Sequence, residues 1–285
     1  MAISGANSFT AHRTISCGDF VSNCAESVAI SSFENIGENY TRYNVEVDVT
    51  TAQRLLSLNR QFYTDHGRDF SATRGRLQTG VMHVLKALRG DELILDLGCG
   101  NGELARELSR QNHRGSYLGL DFSLPLLNEA GREPFTFPVK FLATDITAGN
   151  WRSKLPPSTF DLIFAFAVFH HIPGFELRLN IIKEIHNLLE PNGLFIHSNW
   201  QFLSSERLKA RIHSWDEITL TPEDVEADDY LLDWKRGGMG LRYVHHFGEA
   251  ELNELAKASD FEIVESFYSD GENKRLGLYQ VWKKS

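Results

Sequence analysis

No apolar run in this chain approaches the roughly 18 residues that a membrane-crossing helix needs, so no membrane span is expected. The N-terminus also lacks the basic-then-apolar pattern of a secretion signal. Arg13 among scattered Ser and Thr hints at an organelle-targeting peptide, but Asp19 and Glu26 argue against it. Cysteine is scarce: Cys17, Cys24 and Cys99 leave an odd one over and form no disulfide framework. That suits a reducing compartment, and the expected location is the cytoplasm. Cys17 and Cys24 have no further metal ligand close in sequence, so they read as free thiols and no metal site is expected. Positive charge is also short. With 29 Lys and Arg against 38 Asp and Glu, the formal charge is −9. Broad electrostatic attachment to nucleic acid or anionic lipid is disfavoured, which leaves room for a local basic patch or a partner that supplies charge.

What is present is the composition of a folded chain, 42% hydrophobic and 24% charged. Residues 1–50 read as an N-terminal extension, rich in Ser, Ala, Asn and Thr and without a period at its start, where disorder is expected. Residues 51–285 read as one domain. From Thr51 the pattern turns helical, with Leu55, Leu56, Phe62 and Tyr63 at helical spacings, and a second helix is predicted from about Arg76 to Leu88. Short apolar runs then alternate with helical segments. Strands are predicted at 93–97, 117–121, 139–143, 160–166 and 194–198, with an amphipathic helix over about 177–189. Alternation of this kind means an α/β fold, a doubly wound parallel sheet covered on both faces. The rhythm breaks over about 200–248, a stretch long enough to be a substrate-binding lid insertion. It resumes with a helix near Glu249–Ala258 and strands near 262–267 and 276–282.

In such a sheet, ligands bind outside the carboxyl ends of the strands. The first strand ends in Gly98-Cys99-Gly100-Asn101-Gly102, where the chain must turn sharply and let a ligand touch backbone. Asp121 ends the next strand, about twenty residues on, where a carboxylate can accept from both ribose hydroxyls. A dinucleotide is disfavoured, because the third glycine comes one residue too early and Asp96 would repel a pyrophosphate. A positively charged aminoacyl sulfonium tolerates that field.

The run Leu95-Asp96-Leu97-Gly98-Cys99-Gly100-Asn101-Gly102 resembles motif I of class I S-adenosylmethionine-dependent methyltransferases. Asp121-Phe122-Ser123 resembles their acidic ribose motif, and Asp145-Ile146 the pair that contacts the adenine. Residues 160–171, which include Ala165, His170 and His171, are similar to motif IV and the stretch just after it. Glu190-Pro191-Asn192-Gly193 resembles the turn before the fifth strand, with Leu194 where many members carry a second glycine. The resemblance implies a seven-stranded sheet with an antiparallel last strand and S-adenosylmethionine as cofactor. It assigns Asp96, Gly98, Gly100, Gly102, Asp121, Phe122, Ser123, Asp145, Ile146, Ala165 and His170 to cofactor binding. Either histidine, 170 or 171, could face the cleft, and Phe122 packs beside the adenine or in the core. Cys99 reads as a small loop residue, since sulfonium methyl transfer needs no covalent enzyme intermediate, and Asp161 as a backbone-fixing residue.

Two further segments narrow the acceptor. Phe62-Tyr63 through Phe70-Ser71-Ala72-Thr73-Arg74 comes before the nucleotide domain. Asp229-Tyr230-Leu231-Leu232-Asp233-Trp234-Lys235 and Arg242-Tyr243-Val244-His245-His246-Phe247 come after its fifth strand. Both resemble the family that methylates the carboxymethyl group on wobble uridine of tRNA. That resemblance implies tRNA as a partner, together with a small zinc-binding activator protein. A carboxylate acceptor is already ionised near neutral pH and needs positioning cations rather than a base. Arg74, Arg242 and His245 are the expected acceptor-holding residues, with Lys235 as a further candidate. Tyr230, Trp234 and Tyr243 could stack on a base or simply form lid core. The alternative is a small-molecule O- or N-methyltransferase, which the negative charge and the aromatic insertion favour.

Overall fold

Residues 47–72, 75–234 and 240–285 are described by the computed structural model of the chain. Cys17, Cys24, Arg74 and Lys235, and nearly all of the expected extension, lie outside those residues. Helix α1 spans Val49–Ala72. It starts where it does because the Asp48 carboxylate accepts the backbone N–H groups of Thr50 and Thr51 at 2.8 and 3.1 Å, satisfying donors that the first turn leaves open. Helix α2 is shorter than the sequence predicts, Thr79–Leu85, because Gln78 is extended and the chain leaves the helix at Lys86. The nucleotide domain then alternates through β1 (Leu93–Leu97), α3 (Glu103–Arg110), β2 (Ser116–Asp121), α4 (Leu124–Ala130), β3 (Val139–Ala143) and β4 (Phe160–Phe166). It continues through α5 (Phe175–Leu188) and β5 (Leu189–Trp200).

The segment after β5 builds its own three-stranded antiparallel sheet from β6 (Ile212–His213), β7 (Asp229–Trp234) and β8 (Gly240–His245). The chain returns through α6 (Glu249–Ala258) and ends with β9 (Phe261–Ser269) and β10 (Gly277–Lys284). The main sheet has seven strands in the order β3-β2-β1-β4-β5-β10-β9. Strands β1 to β5 are parallel, and β10 runs antiparallel to both β5 and β9. This is the doubly wound, mostly parallel sheet expected, with the antiparallel strand inserted next to last in space. Strand β5 runs further than the sequence predicts, because β10 pairs with it as far as Trp200. Between β1 and β4 the sheet reverses its winding, the switch point at which a ligand crevice opens.

The core lies on the faces of this sheet. Leu95, Leu97, Ile163, Ala165 and Phe195 pack with Ile182, Ile185, Leu255 and Trp282. Asp161 ties the start of β4 to β1, its carboxylate accepting the Leu93 N–H at 2.8 Å. Among the described residues no helix is long and apolar enough to cross a membrane.

Candidate functional site

A cavity of about 390 Å³ opens at the carboxyl ends of β1, β2, β3 and β4. Its floor is the glycine turn after β1. Gly98 sits at φ +70°, and a Cβ there would come within 2.6 Å of Val168 Cγ2. Only glycine fits both the left-handed backbone and the close approach. Gly102, at φ +78°, starts α3 against Ala130 and Phe141 and does not line the cavity.

Three carboxylates ring this floor. Asp121 is nearly buried, and it braces the turn by accepting the Gly100 N–H at 2.9 Å and the Ser123 N–H at 2.8 Å. Burial raises its pKa against the pull of those backbone bonds. Asp96 is 4% exposed, lines the cavity and accepts the Tyr117 hydroxyl. Burial pushes it up to about 7, although the Tyr117 bond opposes the rise. No cation pairs with it among the described residues. Asp145 behaves oppositely. Burial acts to raise it, but the Thr147 hydrogen bonds and Arg60 hold it below the ordinary carboxylate value. One Asp145 oxygen accepts from the Thr147 N–H and hydroxyl at 2.9 and 2.6 Å, and the other takes Arg60 Nε and Nη2 at 2.8 and 2.6 Å. Arg60 Nη2 donates its hydrogen bond to Thr147 Oγ1 at 3.2 Å. The adenine contact expected of Asp145 competes with Arg60 for this carboxylate.

Arg60 belongs to a ceiling of which sequence reasoning had named Leu56 and Tyr63 but neither Asn59 nor Arg60. Leu56, Asn59, Arg60 and Tyr63 recur at i, i+3, i+4 and i+7 on α1, share one helix face, and all line the cavity. Asn59 Nδ2 donates to the backbone carbonyls of His171 and Tyr243 at 3.2 and 3.1 Å, and its Oδ1 accepts the Tyr243 N–H at 2.8 Å. The Tyr63 hydroxyl meets His171 Nε2 at 2.8 Å. The face mixes apolar, amide, cationic and aromatic residues, so hydrophobic periodicity could not single it out. His171, in the turn after β4, lines the cavity, whereas His170 is buried behind it with Nδ1 accepting the Trp200 N–H at 3.3 Å.

Ile146 and the half-exposed Phe122 line the cavity as the sequence suggests, and the Tyr63 ring meets Phe122 edge-on at 6.0 Å. Ser123 helps indirectly through its N–H, and Ala165 lies within β4, paired with His197 and away from the cavity. The Cys99 thiol is buried, and burial, with Asp96 and Asp121 nearby, pushes its pKa up and keeps it neutral, in keeping with a loop residue.

The acceptor-holding roles expected of Arg242 and His245 need correction, since neither residue lines the cavity. Arg242 is 4% exposed, with its guanidinium 4.8, 5.4 and 5.8 Å from the ring centres of Trp200, Phe62 and Trp234. His245 is fully buried, Nδ1 2.7 Å from Asp229 and Nε2 2.8 Å from Glu251. With a carboxylate on each nitrogen the ring is an imidazolium. Burial and Arg178 act to lower its pKa, yet Glu251 and Asp229 hold it up to about 9. The buried Arg178 of α5 joins the same network, bonded to Glu226 at 2.6 Å and Glu251 at 2.9 Å. The Tyr243 hydroxyl closes it on Asp229 at 2.7 Å. Although Glu226, Asp229 and His245 could together hold a metal, Arg178 already supplies the positive charge there. These residues fasten the second sheet to α5 and α6.

The cavity fits a sulfonium nucleoside on two grounds. Asp96 presents a buried negative charge where a cation would complete it. Thr144 Oγ1, on a residue 3% exposed in the cavity wall, has no hydrogen-bond partner among the described residues and can serve a polar ligand.

Comparison with known proteins agrees with this geometry. A family model described as a methyltransferase domain matches residues 70–266. The malonyl-[acyl-carrier protein] O-methyltransferase of Halalkalibacterium halodurans is 28% identical over 235 residues, 78% of this chain and 80% of that protein. The tRNA (carboxymethyluridine(34)-5-O)-methyltransferase of Macaca fascicularis is 28% identical over 141 residues, which is 49% of this chain but 19% of that longer protein. Among solved structures, magnesium protoporphyrin IX methyltransferase from Synechocystis with bound S-adenosylmethionine aligns at a TM-score of 0.52. It is 15% identical and covers 81% of this chain and 97% of that one.

Proposed function

Since the chain belongs to the methyltransferase-domain family and is an S-adenosylmethionine-dependent enzyme, we propose that its acceptor is a carboxylate oxygen, specifically the carboxymethyl group on wobble uridine of tRNA. The observation that carries this reading is the polarity of the cavity. It is lined by the carboxylates Asp96, Asp121 and Asp145 at the strand ends and Glu103 at the start of α3, and by the cations Arg60 of α1 and the exposed Arg76. An anionic acceptor can pair with the exposed Arg76 guanidinium. Two relatives, named as O-methyltransferases of malonyl-[acyl-carrier protein] and of tRNA carboxymethyluridine, support the same acceptor chemistry.

When bound, S-adenosylmethionine supplies an electrophilic methyl group on sulfur. The protein's part is then alignment and exclusion of water, because an ionised carboxylate needs no base. Alignment of this kind can supply ~7–11 kcal/mol of a barrier. Under this reading Arg76 holds the acid and α1 shields the cofactor from solvent.

The test is methyl transfer from labelled cofactor to tRNA bearing carboxymethyluridine, with and without a small zinc-binding activator protein. A base-labile methyl ester on that nucleoside is the expected product. Inert tRNA in both arms, together with methylation of a metabolite pool, would replace this reading with a small-molecule O- or N-methyltransferase. The net charge of −9 favours that second reading.

A further inference from the structure

Buried polar side chains are almost always hydrogen-bonded, so one that is not marks a place where something else belongs. Among the described residues, Thr144 Oγ1 is the one buried side-chain polar atom without a partner that belongs to the cavity wall. Nearby groups of the wall are already engaged. The Thr147 hydroxyl donates to Asp145 and accepts from Arg60, and the Asn59 amide is divided between His171 and Tyr243. The Thr144 backbone is fixed as well, its N–H donating to the Asp121 carbonyl at 2.9 Å. The residue is almost wholly buried, so bulk water hardly reaches its hydroxyl. A valine would fill nearly the same space without leaving a donor and an acceptor unmet.

Its place in the sheet separates Thr144 from the charged part of the cavity. Asp96, the buried carboxylate that a cation would complete, stands on β1. Thr144 follows β3, with β2 in between, since Asp96 is paired with Gly119 and Gly119 with Phe141. Two strand spacings amount to about 9–10 Å. The positive groups of S-adenosylmethionine belong to the Asp96 end, and the rest of the molecule is an uncharged nucleoside. Its ring nitrogens, amino group and sugar hydroxyls are neutral donors and acceptors. A threonine hydroxyl, donor and acceptor at once, matches that chemistry.

We propose that the Thr144 hydroxyl is a cofactor-binding group that hydrogen-bonds the nucleoside half of S-adenosylmethionine. The role does not depend on which acceptor receives the methyl group, so it stands apart from the carboxylate reading and is tested without any acceptor.

The experiment measures binding of S-adenosylmethionine by calorimetry. Binding of methylthioadenosine, which keeps the nucleoside and lacks the amino-acid arm, is measured in competition with labelled S-adenosylhomocysteine. Thr144→Val should weaken both ligands by a similar factor, ~3–10-fold, the worth of one neutral hydrogen bond. Thr144→Ser keeps the hydroxyl and should stay within ~2-fold of the wild type. Without ligand, Thr144→Val should unfold at the same denaturant concentration or a higher one, because it loses a hydroxyl that had no partner. A hydroxyl with a merely structural role would lower stability when removed. Unchanged affinity in Thr144→Val overturns the proposal, and so does a fall in ligand-free stability alongside the loss of affinity. Weaker S-adenosylmethionine binding with methylthioadenosine unaffected would assign the hydroxyl to the amino-acid arm and overturn it too.

Discussion

Cofactor binding should release a proton from Asp96. In the ligand-free cavity this carboxyl is pushed up to about 7, because burial outweighs the Tyr117 bond and no cation is at hand. A bound sulfonium or ammonium favours the ionised form and lowers that value. Below pH 7 the site must therefore give up a proton before it can bind. If the bound value falls well below 6, affinity should drop ~5-fold from pH 7 to pH 6, about 1 kcal/mol, and approach ~10-fold for each unit below. Stability of the free protein runs the other way. The folded value lies above the unfolded one, so this group's stabilising contribution is complete in acid and is lost as pH rises through about 7. Calorimetric titration with S-adenosylmethionine at pH 6 and 7, each in buffers of differing ionisation enthalpy, measures both the affinity and the protons released. Asp96→Asn keeps an acceptor for Tyr117 and should bind with a flatter pH profile and no proton release. Wild-type affinity that does not change between pH 6 and 7, or an equal slope in Asp96→Asn, would refute the reasoning.

Arg60→Ala should leave cofactor affinity intact or raise it by ~1.5–5-fold, since a half-exposed pair of this kind contributes little and its loss frees Asp145. A marked loss in equilibrium dialysis would show that Arg60 binds the cofactor directly. Gly98→Ala should cost ~1–3 kcal/mol in chemical denaturation through its left-handed backbone and the clash with Val168. Adding Val168→Ala should return the steric share only. His245→Ala leaves Asp229 and Glu251 facing each other without their shared cation, and should destabilise by about 3–5 kcal/mol in the same assay. Retained stability in that variant would mean that water or Arg178 can take over the imidazolium's place.

The strands of the nucleotide domain, the glycine turn and the acidic partner were legible because each is local. Alternating apolar runs set the sheet, and the spacing from Gly98 to Asp121 is imposed by one helix and one strand. What could not be read depends on side chains brought together from far apart. The Arg242-Tyr243-Val244-His245 segment looked like a cluster for an anionic acceptor. The His245 charge is taken by Asp229 and Glu251, which Arg178 and Glu226 join, while the Arg242 guanidinium lies against aromatic rings, and nothing in sequence announces that these converge. The ceiling was hidden for the opposite reason. Asn59 and Arg60 look like the solvent face of an ordinary helix until the partners on the far wall are in view.

Tyr243 has a practical consequence for anyone grafting parts between relatives. Its side chain answers to the interior charges while its main chain is gripped from the ceiling helix and from the turn after β4. The three-stranded sheet is accordingly not a removable cassette. A chimera that imports this sheet must carry compatible residues at positions 59 and 171, or the donor's hairpin will arrive with nothing to hold it in register against the ceiling helix.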